Sequence, residues 1–188
     1  MKWLVLFLFL CSPSWAQSYD FQQTDGYWRV LKDGQSVELD TWIKQSGAEV
    51  ESCVHEDCSL VRWGSKVGLL DKVGRLVVPP RYRKLGMTTY VGEVGWVHST
   101  QFFHGITGFQ ADNQKWGLLD HKGGVVQQPI FDEILYDGYF FSSNINPIPG
   151  MAKCREKAQE RGHRLVSFAL QGGTAVGYFV PGGKYCAR

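Results

Sequence analysis

One stretch of this chain occurs twice, and that repetition limits the fold more than any other feature. Residues 66–85, KVGLLDKVGRLVVPPRYRKL, return 49 positions later as residues 115–134, KWGLLDHKGGVVQQPIFDEI. Lys66, Gly68, Leu69, Leu70, Asp71, Gly74, Val77 and Pro80 recur unchanged as Lys115, Gly117, Leu118, Leu119, Asp120, Gly123, Val126 and Pro129. Leu76, Tyr82 and Leu85 recur as similar residues. A period of this size means one supersecondary unit used more than once. Each copy reads as a β-hairpin. Leu69-Leu70 is a short apolar arm, and Asp71 to Gly74 carries turn chemistry. Leu76 to Val78 forms the second arm, which Pro79-Pro80 ends because proline cannot donate to a ladder. Gly68 and Gly117, inside strand patterns, point to a bulge or a close backbone approach.

These residues resemble the WG-repeat family, whose unit runs Lys-Trp-Gly, two hydrophobics, Asp, then Gly, two hydrophobics, Pro and an aromatic-Asp pair. Lys115 to Asp120 matches closely, and Phe131-Asp132 supplies the aromatic-Asp step. The first copy departs at Val67 and Arg83, the second at Gln127-Gln128. Degenerate copies are read at 27–34, around Trp28 to Gly34, and at 175–183, around Val176 to Gly182. The expected fold is mainly β, made of repeated β-hairpin units, with one short α-helix near the C-terminus. That helix is read over Met151 to Arg161: Met151, Cys154, Arg155 and Ala158 share one face, and Gly162 stops it. Val37 to Trp42, with apolar and polar residues alternating, reads as a strand. Gly172-Gly173 reads as the turn of a late hairpin.

The N-terminus is read as a signal peptide, residues 1–16, with Lys2 ahead of an apolar run and Ser14-Trp15-Ala16 before the cut. Leu10 stands where lipidation of Cys11 would want a small residue, so cleavage after Ala16 is expected. The remainder, 17–188, reads as a single domain in the periplasm or outside the cell. The full chain has 20 Lys+Arg against 18 Asp+Glu, a net charge of +2. So small a charge, without a basic stripe, speaks against nucleic acid. Cys53, Cys58, Cys154 and Cys186, an even set behind an export signal, read as two disulfides. The pairing taken is Cys53–Cys58 and Cys154–Cys186.

No catalytic constellation is carried forward. Cys53-Val54-His55-Glu56-Asp57-Cys58 could suggest a metal, but an oxidising compartment favours the disulfide over a zinc site, so no metal and no cofactor are expected. His98 cannot readily serve Ser99 from the opposite face of a strand. Asp71 and Asp120 are explained as turn residues, and Asp132-Glu133 defines no sugar site. Of the tryptophans, Trp28 and Trp116 are expected in the core, whereas Trp42, Trp63 and Trp96 could be core or surface. The resemblance implies a non-enzymatic binding module, since strand repeats offer broad surfaces with variable loops. The expected partner is another protein of the cell envelope, for instance a toxin met by an inhibitor or immunity protein; the alternative is a peptidoglycan-binding module. The expected contact surface lies in two stretches, Ser99 to Gly108 and Tyr136 to Gly150. Its named residues are Trp96, His98, Phe102, Phe103, His104, Tyr139, Phe140, Asn144 and Asn146.

Overall fold

The fold comes from a computed structural model, which describes residues 18–52, 58–91, 95–100, 102–103, 105–137, 148–163 and 166–187. The chain opens with β1 (Tyr19–Thr24), β2 (Tyr27–Lys32), β3 (Gln35–Val37) and α1 (Leu39–Ser46). After β4 (Glu49–Ser52) and β5 (Cys58–Trp63), the first repeat lies in β6 (Lys66–Asp71), β7 (Leu76–Tyr82) and β8 (Lys84–Leu85). After β9 (Met87–Val91), β10 (Gly95–Ser99) and β11 (Ile106–Gln110), the second lies in β12 (Trp116–Asp120), β13 (Val125–Phe131) and the start of β14 (Glu133–Asp137). The chain closes with α2 (Met151–Glu160), β15 (Val166–Gln171), β16 (Thr174–Phe179) and β17 (Tyr185–Ala187). The sheets run β1-β2-β3, β4-β5-β6-β7, β13-β12-β11-β8 and β10-β9-β14-β15-β16-β17. All pairs are antiparallel except β9 with β14.

The two copies share one register. Val67 pairs with Tyr82, Leu69 with Val78 and Leu70 with Leu76. Trp116, Leu118 and Leu119 pair with Phe131, Gln127 and Val125, the same positions 49 residues on. In each copy three residues of the outer strand, Pro79-Pro80-Arg81 or Gln128-Pro129-Ile130, face the single Gly68 or Gly117. That is the bulge expected where a proline interrupts a ladder. The units also hand on alike. Arg83 N–H donates to Gln110 O, and Asp132 N–H to Leu170 O, each at 2.9 Å, so each repeat leads into the next hairpin. The hairpin β16–β17 repeats the backbone of the repeat turn. Val180 N–H donates to Lys184 O and Gly183 N–H to Val180 O, as Asp71 with Arg75 and Gly74 with Asp71. At the other degenerate site, Asp33 and Gly34 (φ 53° and 78°) make a two-residue turn instead.

The Leu-Leu pair explains how units stack. Neighbouring strand residues point to opposite faces, so two adjacent buried leucines need cover on both sides. Leu70 joins the N-terminal cluster with Val30, Trp42 and Leu76, while Leu69 joins the cluster shared with the second repeat. In the second repeat Leu119 turns back into that shared cluster and Leu118 turns forward, towards Ala169 and Phe179. Tyr178 and Phe179 continue the pattern: Phe179 faces back, and Tyr178 packs under α2 with Met151, Cys154 and Ala158. The helices thus close the two ends of a short stack, as terminal repeats must.

Two expectations change. Among the described residues a second helix joins the expected one near the C-terminus. Leu39, Trp42 and Ile43 lie on one face of α1, Gly47 ends it at φ 70°, and Trp42 is fully buried. A helix places Trp42 and Ile43 on one side, where strand alternation would have split them. Cys154 and Cys186 do not form a disulfide. Both pack in the cluster beneath α2, and β17 is held by its ladder to β16 without a covalent link. Cys58 is disulfide-bonded, and its partner lies outside the described residues, as Cys53 does. Within the expected contact stretch 99–108, Ser99, Ile106 and Thr107 are buried, Thr100, Phe102 and Phe103 are half-buried and Gly105 is exposed. The proposed leader, residues 1–16, lies outside the described residues. Among those described, no helix is long and apolar enough to cross a membrane.

Candidate functional site

The repeat turns carry the best-defined polar geometry. Asp71 Oδ1 accepts from the N–H groups of Val73 (3.0 Å) and Arg75 (2.9 Å). Asp120 Oδ1 accepts from Lys122 and Gly124, both at 2.8 Å. This is the local side-chain turn that Asp favours. In the first copy Arg75 closes on its own turn: Nε donates to Asp71 Oδ2 at 2.8 Å, and the guanidinium lies 3.9 Å from the centre of the Tyr27 ring. Burial would raise the Asp71 pKa, but the bonds from the Arg75 backbone and side chain and from Val73 outweigh it and hold the carboxyl below its ordinary value. The second copy has Gly124 where Arg75 stands, so nothing equivalent is built there.

Both repeat turns and the β1–β2 turn meet around a cleft of about 650 Å³. Leu69, Leu70, Val77 and Cys58 line it, together with the half-buried rings of Tyr27 and Phe102. Asp25, Asp71, Lys72, Arg75, His121 and Lys122 bring polar groups to it. A cleft of this size, mostly apolar with a few polar groups, is the usual form of a ligand site. Lys72, His121 and Lys122 are exposed, and their side chains have no ion-pair or hydrogen-bond partner among the described residues. Arg75 is spent on Asp71 and Tyr27. A second cleft of about 590 Å³ lies beside the first, and Asp25, Tyr27 and Arg75 line both.

The expected contact residues that are described take different places. Of those that are described, Phe102 lines the cleft. Phe103 stacks on Tyr136 with ring centres 3.7 Å apart and packs on the core. His98 Nε2 is 2.8 Å from Leu85 O and its ring lies 5.7 Å from Trp116, so it fixes β10 to the first repeat. Trp96 contributes its backbone to β10. His104, Tyr139, Phe140, Asn144 and Asn146 lie outside the described residues. The tryptophans are mostly structural. Trp116 is buried, Trp42 and Trp63 pack edge-on with centres 5.8 Å apart, and Trp28 carries the Arg81 guanidinium over its face at 5.0 Å. Sequence reasoning missed Lys72, His121 and Lys122. The available signal was the repeat itself, since stacking equal hairpins brings equal turns to one side.

The Asp of the aromatic-Asp step has a role beyond its own unit. Asp132 forms an ion pair with Lys115, and its Oδ2 accepts from Gly172 N–H at 2.6 Å. It therefore ties the repeat to the turn of the β15–β16 hairpin. The Lys115 bond first, then that from Gly172, holds its pKa below the ordinary carboxylate value of 3.8. A depressed folded pKa gives stability that is present above the unfolded pKa and lost as pH falls through the folded one. Asp132→Asn is expected to lower the urea midpoint at pH 7, with the gap from wild type closing below about pH 4. An equal gap at pH 7 and pH 3 in urea titrations would show that the charge contributes nothing.

The sequence family described as WG containing repeat matches residues 116–145, which begin at Trp116-Gly117. The chain carries a WG repeat. Within it Trp116 fills the core, Gly117 admits the bulge, Asp120 builds the turn and Asp132 binds the next hairpin. Gly68, Asp71, Gly74 and Pro80 of the first copy take the same places as Gly117, Asp120, Gly123 and Pro129 of the WG repeat. No curated protein and no solved structure matches the chain.

Proposed function

We propose that this WG-repeat chain is an exported, non-enzymatic module that binds another protein of the cell envelope. The observation that carries this reading is the cleft where the turns of two equal repeats and the first hairpin converge. Its apolar lining and unpaired basic residues offer affinity and orientation together, while Asp71 and Asp120 are committed to their own turns. Export rests on the sequence of residues 1–16 and on the cysteine pattern. Cys53–Cys58 remains the disulfide proposed for the β4–β5 hairpin. A peptidoglycan-binding role has less support, because Trp28, Trp42, Trp63 and Trp116 are each engaged within the fold rather than set along an open groove.

The test is photo-crosslinking in the native envelope. The full chain, exported by its own leader, carries p-benzoylphenylalanine in place of Phe102, or in place of the remote, exposed Val50 as a control. One protein adduct from position 102, absent from position 50 and lost when Lys72 and Lys122 are both changed to Glu, is the expected result. No adduct from position 102 in cells where the chain is folded would end this reading.

A further inference from the structure

The polar groups of the cleft are not balanced, and the imbalance indicates what it receives. Asp71 is saturated: one oxygen takes two backbone N–H groups and the other takes Arg75. Arg75 is likewise occupied, its guanidinium lying between Asp71 and the Tyr27 ring. This pair needs no ligand. Lys72 and Lys122 remain, with His121 beside them. Lys72 and His121 occupy the same position of the two repeat turns. The stack therefore brings together cations from units far apart in sequence. Asp25, from the β1–β2 turn, is the one carboxylate of the cleft without a partner among the described residues.

We infer that the cleft takes an acidic peptide segment of the partner carrying one large apolar side chain. The apolar side chain would enter against Leu69, Leu70 and Val77, flanked by Tyr27 and Phe102. Flanking carboxylates would meet Lys72 and Lys122, and a segment N–H would donate to Asp25. A basic segment would face two lysines with one carboxylate in return, so charge sets the preference as well as the rate of encounter. Area alone would not discriminate, because an apolar cleft accepts any side chain that fits. This inference rests on the protein-binding reading above and specifies its ligand.

Fluorescence anisotropy at low salt tests it on the full mature chain. The probes are fluorescein-labelled Glu-Glu-Phe-Glu-Glu, its Lys-Lys-Phe-Lys-Lys counterpart, and Glu-Glu-Gly-Glu-Glu. The first is expected to bind saturably, at least about tenfold tighter than either of the others. Lys72→Glu with Lys122→Glu, both on exposed turns, is expected to keep the melting temperature and to reverse the order of the first two. Binding equally tight for the acidic and basic peptides, acidic binding unchanged in the double variant, or no acidic binding at millimolar peptide would each overturn the inference. The two readings fail separately. An adduct at position 102 alongside a negative anisotropy result removes the acidic class and leaves the binding module. An absent adduct removes the module whatever the peptides do.

Discussion

Replacing Gly68 or Gly117 with alanine is expected to destabilise the fold by at least about 3 kcal/mol, among the largest effects of any single methyl added to this chain. Both glycines have ordinary backbone angles, so the reason is not conformational freedom but space. A Cβ on Gly68 would lie 2.8 Å from both Pro79 C and Pro80 N, and closer still to Val78 O. On Gly117 it would lie 2.7 Å from two ring carbons of Phe109, and closer to Gln127 O. At Gly68 the obstacle is backbone on every side, held by a bulge that the prolines fix. Relief would need the bulge to open, and that would pull Leu76 and Val78 from the core. At Gly117 part of the obstacle is a ring, but Phe109 is itself buried against Tyr82. Gly68→Ala should therefore be the worse of the two. Given about 5–15 kcal/mol of total stability, the double variant should be substantially unfolded by far-UV circular dichroism. Melting within a degree or two of wild type would mean that the bulge yields freely.

Trp42→Ala is the second large effect, expected at about 3–5 kcal/mol, or roughly 10 °C in melting temperature. Trp42 is completely buried and stands at the centre of an edge-on cluster, with Tyr19 at 6.4 Å, Phe21 at 5.6 Å and Trp63 at 5.8 Å. Truncation leaves a hole lined by rings on separate strands, which cannot close it without leaving their ladders. The cluster also covers Leu70 and Leu76, so the first repeat would lose its end cap. Trp42→Phe makes a sharper comparison. Trp42 Nε1 is buried with no hydrogen-bond partner among the described residues. Phenylalanine removes that unpaired donor while keeping a ring, and should cost only about 1 kcal/mol. Differential scanning calorimetry of the two variants separates the readings. Equal losses would mean that the indole N–H is satisfied in solution.

Most of the hairpin logic was present in the residues. Asp71 and Gly74 specify their turn through chemistry confined to four positions, and Asp120 and Gly123 repeat it with the same bonds. Met151, Cys154 and Ala158 mark a helix by spacing alone, and the glycine after it ends it. Trp42 was harder. Val37, Leu39 and Thr41 alternate with Glu38, Asp40 and Trp42 as a strand would, yet Leu39, Trp42 and Ile43 also fit a helix. A window this short satisfies both periods, and the choice fell to whichever side the apolar end of the stack lay on.

The sequence alone determined the repeat, and with it the turns, the bulge and the need for cover on both faces of the Leu-Leu strands. Each of these rests on interactions within one hairpin, where bonding partners are near in the chain. Only the tertiary structure decided that α1 and α2 close the ends and that Cys154 and Cys186 share a cluster without a disulfide. It also decided that Lys72, His121 and Lys122 meet at one cleft. These depend on which face of each unit meets the next, and on bulk and charge brought together from positions tens of residues apart. Periodicity records that a face must be buried, but not what buries it.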